Sequence, residues 1–348
     1  MKISRREFLK ISGAGVLAMA FGNFAEAKSL RVDFHAHAMS ASYVEGLKRL
    51  GIDAAGEEGF PLPKWSVEAH LQFMSDAGID FTVLSMATPH IYNGDRNKKI
   101  AREVARQVNE DFAEICRRYP EKFGFVAALP MPDVEGSIAE FRYATEKLGA
   151  LGVKVASNSD GVYLGDERLD EIFAELNSRG SLVILHPSPA RLLPRSNVVT
   201  GNVMALFEYP ADTTRAVLNL LAKGTLEKFP RVRLIVPHCG SFLPYMKQRA
   251  GAMFQMLASM NLMAPTEIAA GLGKLYFDLA GDPTPEQMDI LLKITDAEHL
   301  LYGSDYPYVP AAVLLRKKAA LDEELSRRSW LRKIYISNAE KILQELIV

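Results

Sequence analysis

Val32-Asp33-Phe34-His35-Ala36-His37 is a short apolar segment that ends in two imidazoles, and its form recurs along the chain. Leu182–Pro187 reads LVILHP, Leu234–Cys239 reads LIVPHC and Leu300–Asp305 reads LLYGSD. Each has the length and β-rich composition of a buried parallel strand. Each also carries a metal-ligating residue type at or just beyond its C-terminal end. Strands laid side by side would bring His35, His37, His186, His238 and Asp305 together, and imidazoles with a carboxylate make a site for a divalent ion. Strand side chains alternate with period two, so His35 and His37 can share one face.

Working outward, candidate strands lie at 30–35, 79–86, 123–129, 151–156, 181–186, 231–238, 274–280 and 299–304. Amphipathic segments at 67–77, 98–118, 134–148, 167–179, 213–227 and 285–295 alternate with them. The alternation predicts an α/β fold, a single (β/α)8 TIM-type barrel with a parallel sheet. The connections 38–65 and 187–212 both follow a strand and exceed the usual length of about 2–6 residues. In a barrel they emerge on the C-terminal face, where active sites are built, so they are expected to cover a pocket.

Residues 1–27 are read apart from the fold. Ser4-Arg5-Arg6-Glu7-Phe8-Leu9-Lys10, an apolar stretch from Ile11 to Phe21 and Ala25-Glu26-Ala27 follow the order of a twin-arginine export signal with its cleavage site. This predicts a periplasmic mature chain of residues 28–348, with an uncleaved anchoring helix as the alternative. No apolar run beyond residue 27 is long enough for a membrane span. A net charge of −1 gives no argument for nucleic acid. Cys116 and Cys239 are too few for a disulfide framework; Cys116 falls on a helical pattern and Cys239 follows His238.

The remaining histidines fit other roles. His70 belongs to the helical pattern VEAHLQFM and His299 begins a strand, so both read as structural; His90 lies in a loop and is open either way. Lys154, between Val153 and Val155, is expected to face the barrel interior.

The segments DFHAH, ILHPSP, VPHCGSFLP and LLYGSDYP resemble the metal-binding and catalytic segments of the amidohydrolase superfamily. They are most similar to its decarboxylase branch, which includes the aminocarboxymuconate-semialdehyde, 6-methylsalicylate and γ-resorcylate decarboxylases. Pro63-Lys64-Trp65, AGIDFTVLSMATP, FGFVAALPMPD, YLGDERLDEIFAELNSRG and EYPADTTRAVLNLL extend the resemblance over nearly the whole mature chain. It implies zinc, or manganese, held by His35, His37, His186 and Asp305, with His238 as a nearby base or hydrogen-bonding group. It also implies a homodimer in which Arg249, eleven positions after His238, binds the substrate carboxylate across the interface.

Three departures qualify the resemblance. Ser241 stands where the branch has the second glycine of H-x-G-G, and the first helix reads Glu68-Ala69-His70-Leu71-Gln72 without the arginines of dicarboxylate users. Lys154 occupies the strand that carries a carboxylated, metal-bridging lysine in related hydrolases, and is read here as a buried, paired or solvent-reaching lysine.

The chemistry these residues favour is non-oxidative decarboxylation of a small cyclic or aromatic carboxylic acid. Asp305 would be the acid, His238 would orient the substrate hydroxyl or activate bound water, His90 would contact the substrate, and Trp65 would either give it an apolar ring contact or simply pack within its loop. The same shell could activate water to hydrolyse a lactone or amide. A non-catalytic exported metal-binding protein is the third reading, and it predicts no deep pocket.

Overall fold

The computed structural model describes residues 30–53, 61–92, 94–190 and 203–346; the segment 1–27 read as an export signal and much of the connection after residue 187 lie outside them. The parallel strands β1 (Val32–Ala38), β2 (Phe81–Met86) and β3 (Phe123–Phe125) form one ladder. A second has the order β10 (Leu300–Leu301), β9 (Tyr276–Asp278), β8 (Arg233–Val236), β7 (Leu182–His186), β4 (Gly152–Ala156). Two further contacts join the ladders. Ala127 bridges Val153, and Ala36 bridges Tyr306, with Phe34 N–H donating to the Tyr302 carbonyl. The strand order therefore returns on itself as an eight-stranded (β/α)8 arrangement.

Two apolar clusters follow from this closure. Val32, Phe34, Phe81, Val83, Leu182, Ile184, Ile235 and Leu301 fill the barrel, joined by Ala339, Ile342 and Leu343 of the C-terminal helix Asn338–Glu345. Those helix residues meet the first residues of the strands, so the helix closes the N-terminal end. The larger cluster lies between the strands and the surrounding helices.

The helices follow from their patterns and caps. In α1 (Ala41–Leu50), Tyr43, Gly46, Leu47 and Leu50 form one buried stripe, and Ser40 accepts from Tyr43 N–H at the start. α2 (Val67–Ala77) and α3 (Lys98–Arg118) span the expected ranges. Gly46 lets α1 press on α3, since a Cβ there would stand 2.4 Å from Val104 Cγ1. α4 (Val134–Tyr143) continues as a π turn to Leu148, and α5 is Asp170–Ser178.

The largest departure concerns the helix expected at 213–227. It begins earlier, as α6 (Glu208–Ala222), and Gly224, at φ 64°, separates it from the short turn α7 (Thr225–Lys228). The connection 38–65 is likewise partly helical, because it contains α1. Strands six and eight are shorter than expected. His238 opens a turn after β8, and Ala297–His299 is a 3-10 turn before β10. An antiparallel hairpin, β5 (Asn158–Ser159) and β6 (Val162–Tyr163), follows β4 on the C-terminal side.

Candidate metal centre and active site

The site begins at an irregularity in β1. The register against β2 shifts between Asp33 and Ala36, and this bulge lets His35 and His37 face the axis although Val32 and Phe34 below them also do. Asp33 Oδ1 fixes the bulge, accepting from the N–H groups of His35 and Ser304 at 3.0 and 3.1 Å. Asp305 sits on a turn that donates its own N–H to the His35 carbonyl, at φ 62°, which aims its carboxylate back at the imidazoles.

The five residues meet. One donor atom each from His35, His186, His238 and Asp305 lie within 4.8 Å of one another. His37 stands outside that foursome, but its Nε2 is 3.1 Å from Asp305 Oδ1 and its ring centroid 4.8 Å from that of His186. Around Asp305, the Nε2 atoms of His35 and His238 lie at 3.5 and 3.6 Å.

Hydrogen-bond partners assign the tautomers. His35 Nδ1–H donates to Asp278 Oδ2 at 2.8 Å, leaving its buried Nε2 without a hydrogen bond among the described residues. His37 Nδ1 faces the Met86 carbonyl at 3.3 Å and Ser85 Oγ at 3.2 Å; His186 Nδ1 faces the Pro187 carbonyl at 3.1 Å. The inward nitrogens are thus lone pairs directed at one another and at a carboxylate. Such a set repels itself unless a cation or protons lie between, and three imidazoles with a carboxylate fit a divalent ion.

The electrostatics agree. Burial pushes His37 down to about 3, and Lys154 adds to this. Burial and then Lys154 also hold His186 well below the ordinary range. Lys154 is buried on β4, donates to the Met86 carbonyl and faces inward as its alternation predicts. For His35, burial opposes the charged form, but the Asp278 carboxylate and its neighbours outweigh it and raise the pKa. Burial opposes ionisation of Asp305 as well, yet the imidazoles of His238, His37 and His35 gathered around it hold it well below the usual carboxylate range.

A pocket of about 420 Å³ opens above the cluster. Its lining includes His186, His238, Asp305, Tyr209, Ser241 and Phe242. His90 is half-buried beside it, Nε2 3.4 Å from the Pro187 carbonyl, and lines a smaller cleft with Tyr92 and Asn158. Trp65 is engaged elsewhere: its indole N–H donates to His70 Nδ1 at 3.0 Å, and His70 packs on Phe73, Phe123 and Tyr306. His299 pairs with Asp296 at 2.8 Å. Arg249 is exposed on α8 (Leu243–Ser259) and does not line the pocket. Cys116 and Cys239 are both buried free thiols.

One important residue was missed from sequence. Asp278 accepts from His35 Nδ1 through Oδ2, and from the N–H groups of His238 and Ala280 through Oδ1 at 3.0 and 3.1 Å. It therefore orients two of the histidines. Its signal was a carboxylate inside the apolar strand segment LYFDLA.

Residues 32–344 match the amidohydrolase family, and this covers every element of the barrel and every residue of the cluster. The chain belongs to that family. Among similar amidohydrolases, a protein named decarboxylase yanB from Aspergillus niger is 30% identical over 294 residues, 82% of this chain and 79% of that one. The 6-methylsalicylic acid decarboxylase of Penicillium expansum is 29% identical over 82% of this chain and 87% of its own. The crystal structure of 5-carboxyvanillate decarboxylase from Novosphingobium aromaticivorans, complexed with manganese and a nitrobenzoic acid, superposes at a TM-score of 0.76. That likeness covers 92% of this chain and 97% of that one at 22% identity, and it shows the shared fold.

Proposed function

We propose that this protein is a metal-dependent, non-oxidative decarboxylase of a small aromatic carboxylic acid. The observation that carries the reading is the convergence of imidazole lone pairs on Asp305 at the floor of a pocket of about 420 Å³. The pocket suits a single ring, and the decarboxylase names of the relatives support the reaction type. A pocket of this volume over the cluster is not what the non-catalytic metal-binding reading expects.

His35, His37, His186 and Asp305 are the proposed ligands. A bound divalent ion would supply positive charge for the substrate carboxylate and its neighbouring hydroxyl. Nitrogen and oxygen donors of this kind accept zinc or manganese. His238, facing the pocket, would orient the substrate hydroxyl. Asp305 would take the proton of that hydroxyl and deliver it to the carboxylate-bearing ring carbon. The carbon–carbon bond electrons then return to the ring, carbon dioxide leaves, and the phenolate product takes a proton from water.

Metal analysis followed by incubation with hydroxybenzoates and lactones tests this. Carbon dioxide release that is lost with a chelator and restored by manganese or zinc is expected. Ring-opened acid without carbon dioxide would establish hydrolysis instead.

The homodimer is part of the proposal. Tyr245, Arg249, Met253, Met256 and Met260 recur along one stripe of the α8 surface, and all five are exposed. Covering that stripe with a second copy would bring Arg249 to an interface. Arg249→Ala should raise KM about 10-fold or more, the loss of one charge-assisted hydrogen bond, and should be complemented in mixed dimers. A monomer by light scattering would defeat this arrangement. Among the described residues, no helix is long and apolar enough to cross a membrane.

Export to the periplasm by the twin-arginine route is proposed from Arg5 and Arg6. Replacing both by lysine should retain the protein inside the cell, and unchanged periplasmic delivery would sink that reading.

A further inference from the structure

The turn after β8 runs through four consecutive residues of positive φ: His238 at 54°, Cys239 at 53°, Gly240 at 72° and Ser241 at 54°. Ser241 combines that φ with ψ −124°, outside the left-handed helical region and in territory that glycine fills at little cost and other residues rarely enter. Its surroundings enforce the conformation. Ser241 N–H donates to the His238 carbonyl at 2.9 Å, the next residue, Phe242, donates to Thr214 Oγ1 at 3.0 Å, and His238 N–H is held by Asp278.

Among the described residues, the buried Ser241 Oγ finds no hydrogen bond in return. A hydroxyl offers one donor and two acceptor positions, and leaving them unmade is costly. Ser241 itself is only partly buried, and it lines both the central pocket and the groove beside it. The hydroxyl is turned away from solvent in this conformer, so engaging a ligand in the pocket calls for rotation about χ1. Backbone strain and an unmade hydrogen bond thus coincide three residues from His238, on the substrate side.

We infer that Ser241 is a substrate-binding, specificity-determining residue, whose hydroxyl donates to a second ring oxygen of the aromatic acid. That oxygen lies outside the carboxylate and hydroxyl pair at the metal centre. The inference rests on the decarboxylase reading. It assigns a preference for dihydroxylated over monohydroxylated acids, because the strained serine meets its partner only when the second oxygen is present.

The test uses the metal-loaded full chain with salicylate and the 2,3-, 2,4-, 2,5- and 2,6-dihydroxybenzoates. Ser241→Ala keeps the strain and removes the hydroxyl; Ser241→Gly removes both. Both variants should lose about 10- to 100-fold in kcat/KM for the preferred dihydroxybenzoate, chiefly through KM, as leaving its buried second ring oxygen unpaired warrants. Salicylate should change by less than about 3-fold, within the effect of a neutral contact. Ser241→Gly should also melt about 2–4 °C above Ser241→Ala, the size of shift expected when strain of this order is released.

Wild-type KM in both variants, or an equal loss for every acid, overturns the inference. Ser241→Gly melting no higher than Ser241→Ala overturns the strain argument. If the wild type releases no carbon dioxide, the decarboxylase reading fails by itself. Calorimetric binding of the same acids then decides here, and equal affinity in wild type and variants, or no binding at all, overturns the role of Ser241.

Discussion

Asp305→Asn should lower turnover by about 10³- to 10⁴-fold, the upper part of the range for a positioned acid-base group. Three imidazole Nε2 atoms face this carboxylate within 3.6 Å, so its charge is the main counterweight to whatever occupies their centre. Asparagine has nearly the same shape and tolerates the left-handed backbone that Asp305 adopts at φ 62°. The turn after β10 should therefore survive, and the loss will report chemistry rather than unfolding. An amide neither balances a cation as a carboxylate does nor carries a proton to carbon. Metal affinity should fall together with turnover, by about 10- to 100-fold or more, since an inner ligand should matter at least as much as the groups that orient it. Wild-type metal content together with wild-type turnover would remove Asp305 from both roles.

The cluster was legible because each member stands at the end of a segment with an unmistakable strand composition, and a parallel barrel gathers such ends. Alternation placed His35 and His37 on one face, although the bulge between Asp33 and Ala36 is what reconciles them with Val32 and Phe34. No property of six residues announces a bulge. Helices 67–77 and 98–118 were readable from apolar period and capping, and Ser66 does cap the first.

Other features had signals that went unread. Asp160-Gly161, both at positive φ, is a hairpin signature between β5 and β6, and the stripe of α1 lay inside a connection judged by its length alone. Contacts between remote segments had no signal at all. The reach of Asp278 to His35 depends on the assembled barrel.

His238→Asn should leave most of the metal bound while lowering turnover by about 10²- to 10⁴-fold. The distances alone favour a different division, because His238 belongs to the tight foursome and His37 does not. Burial and hydrogen bonding argue the other way. His35, His37 and His186 are 1%, 0% and 4% exposed, and each has its Nδ1 against a fixed partner, so each presents a lone pair inward with no alternative use. The His238 side chain is 21% exposed, lines the pocket, and is anchored through its backbone N–H to Asp278. A ring held by its main chain and open to the pocket can exchange partners between Asp305 and a substrate, as moving a proton requires. A ligand buried beneath it cannot. His37→Asn should show the opposite pattern, losing metal and activity together, because among the described residues its Nε2 faces Asp305 Oδ1 and the centre of the cluster. Metal content measured on the two variants side by side decides the matter. Loss of metal from His238→Asn with retention in His37→Asn would make His238 the fourth ligand and leave His37 as the group that holds Asp305 in place.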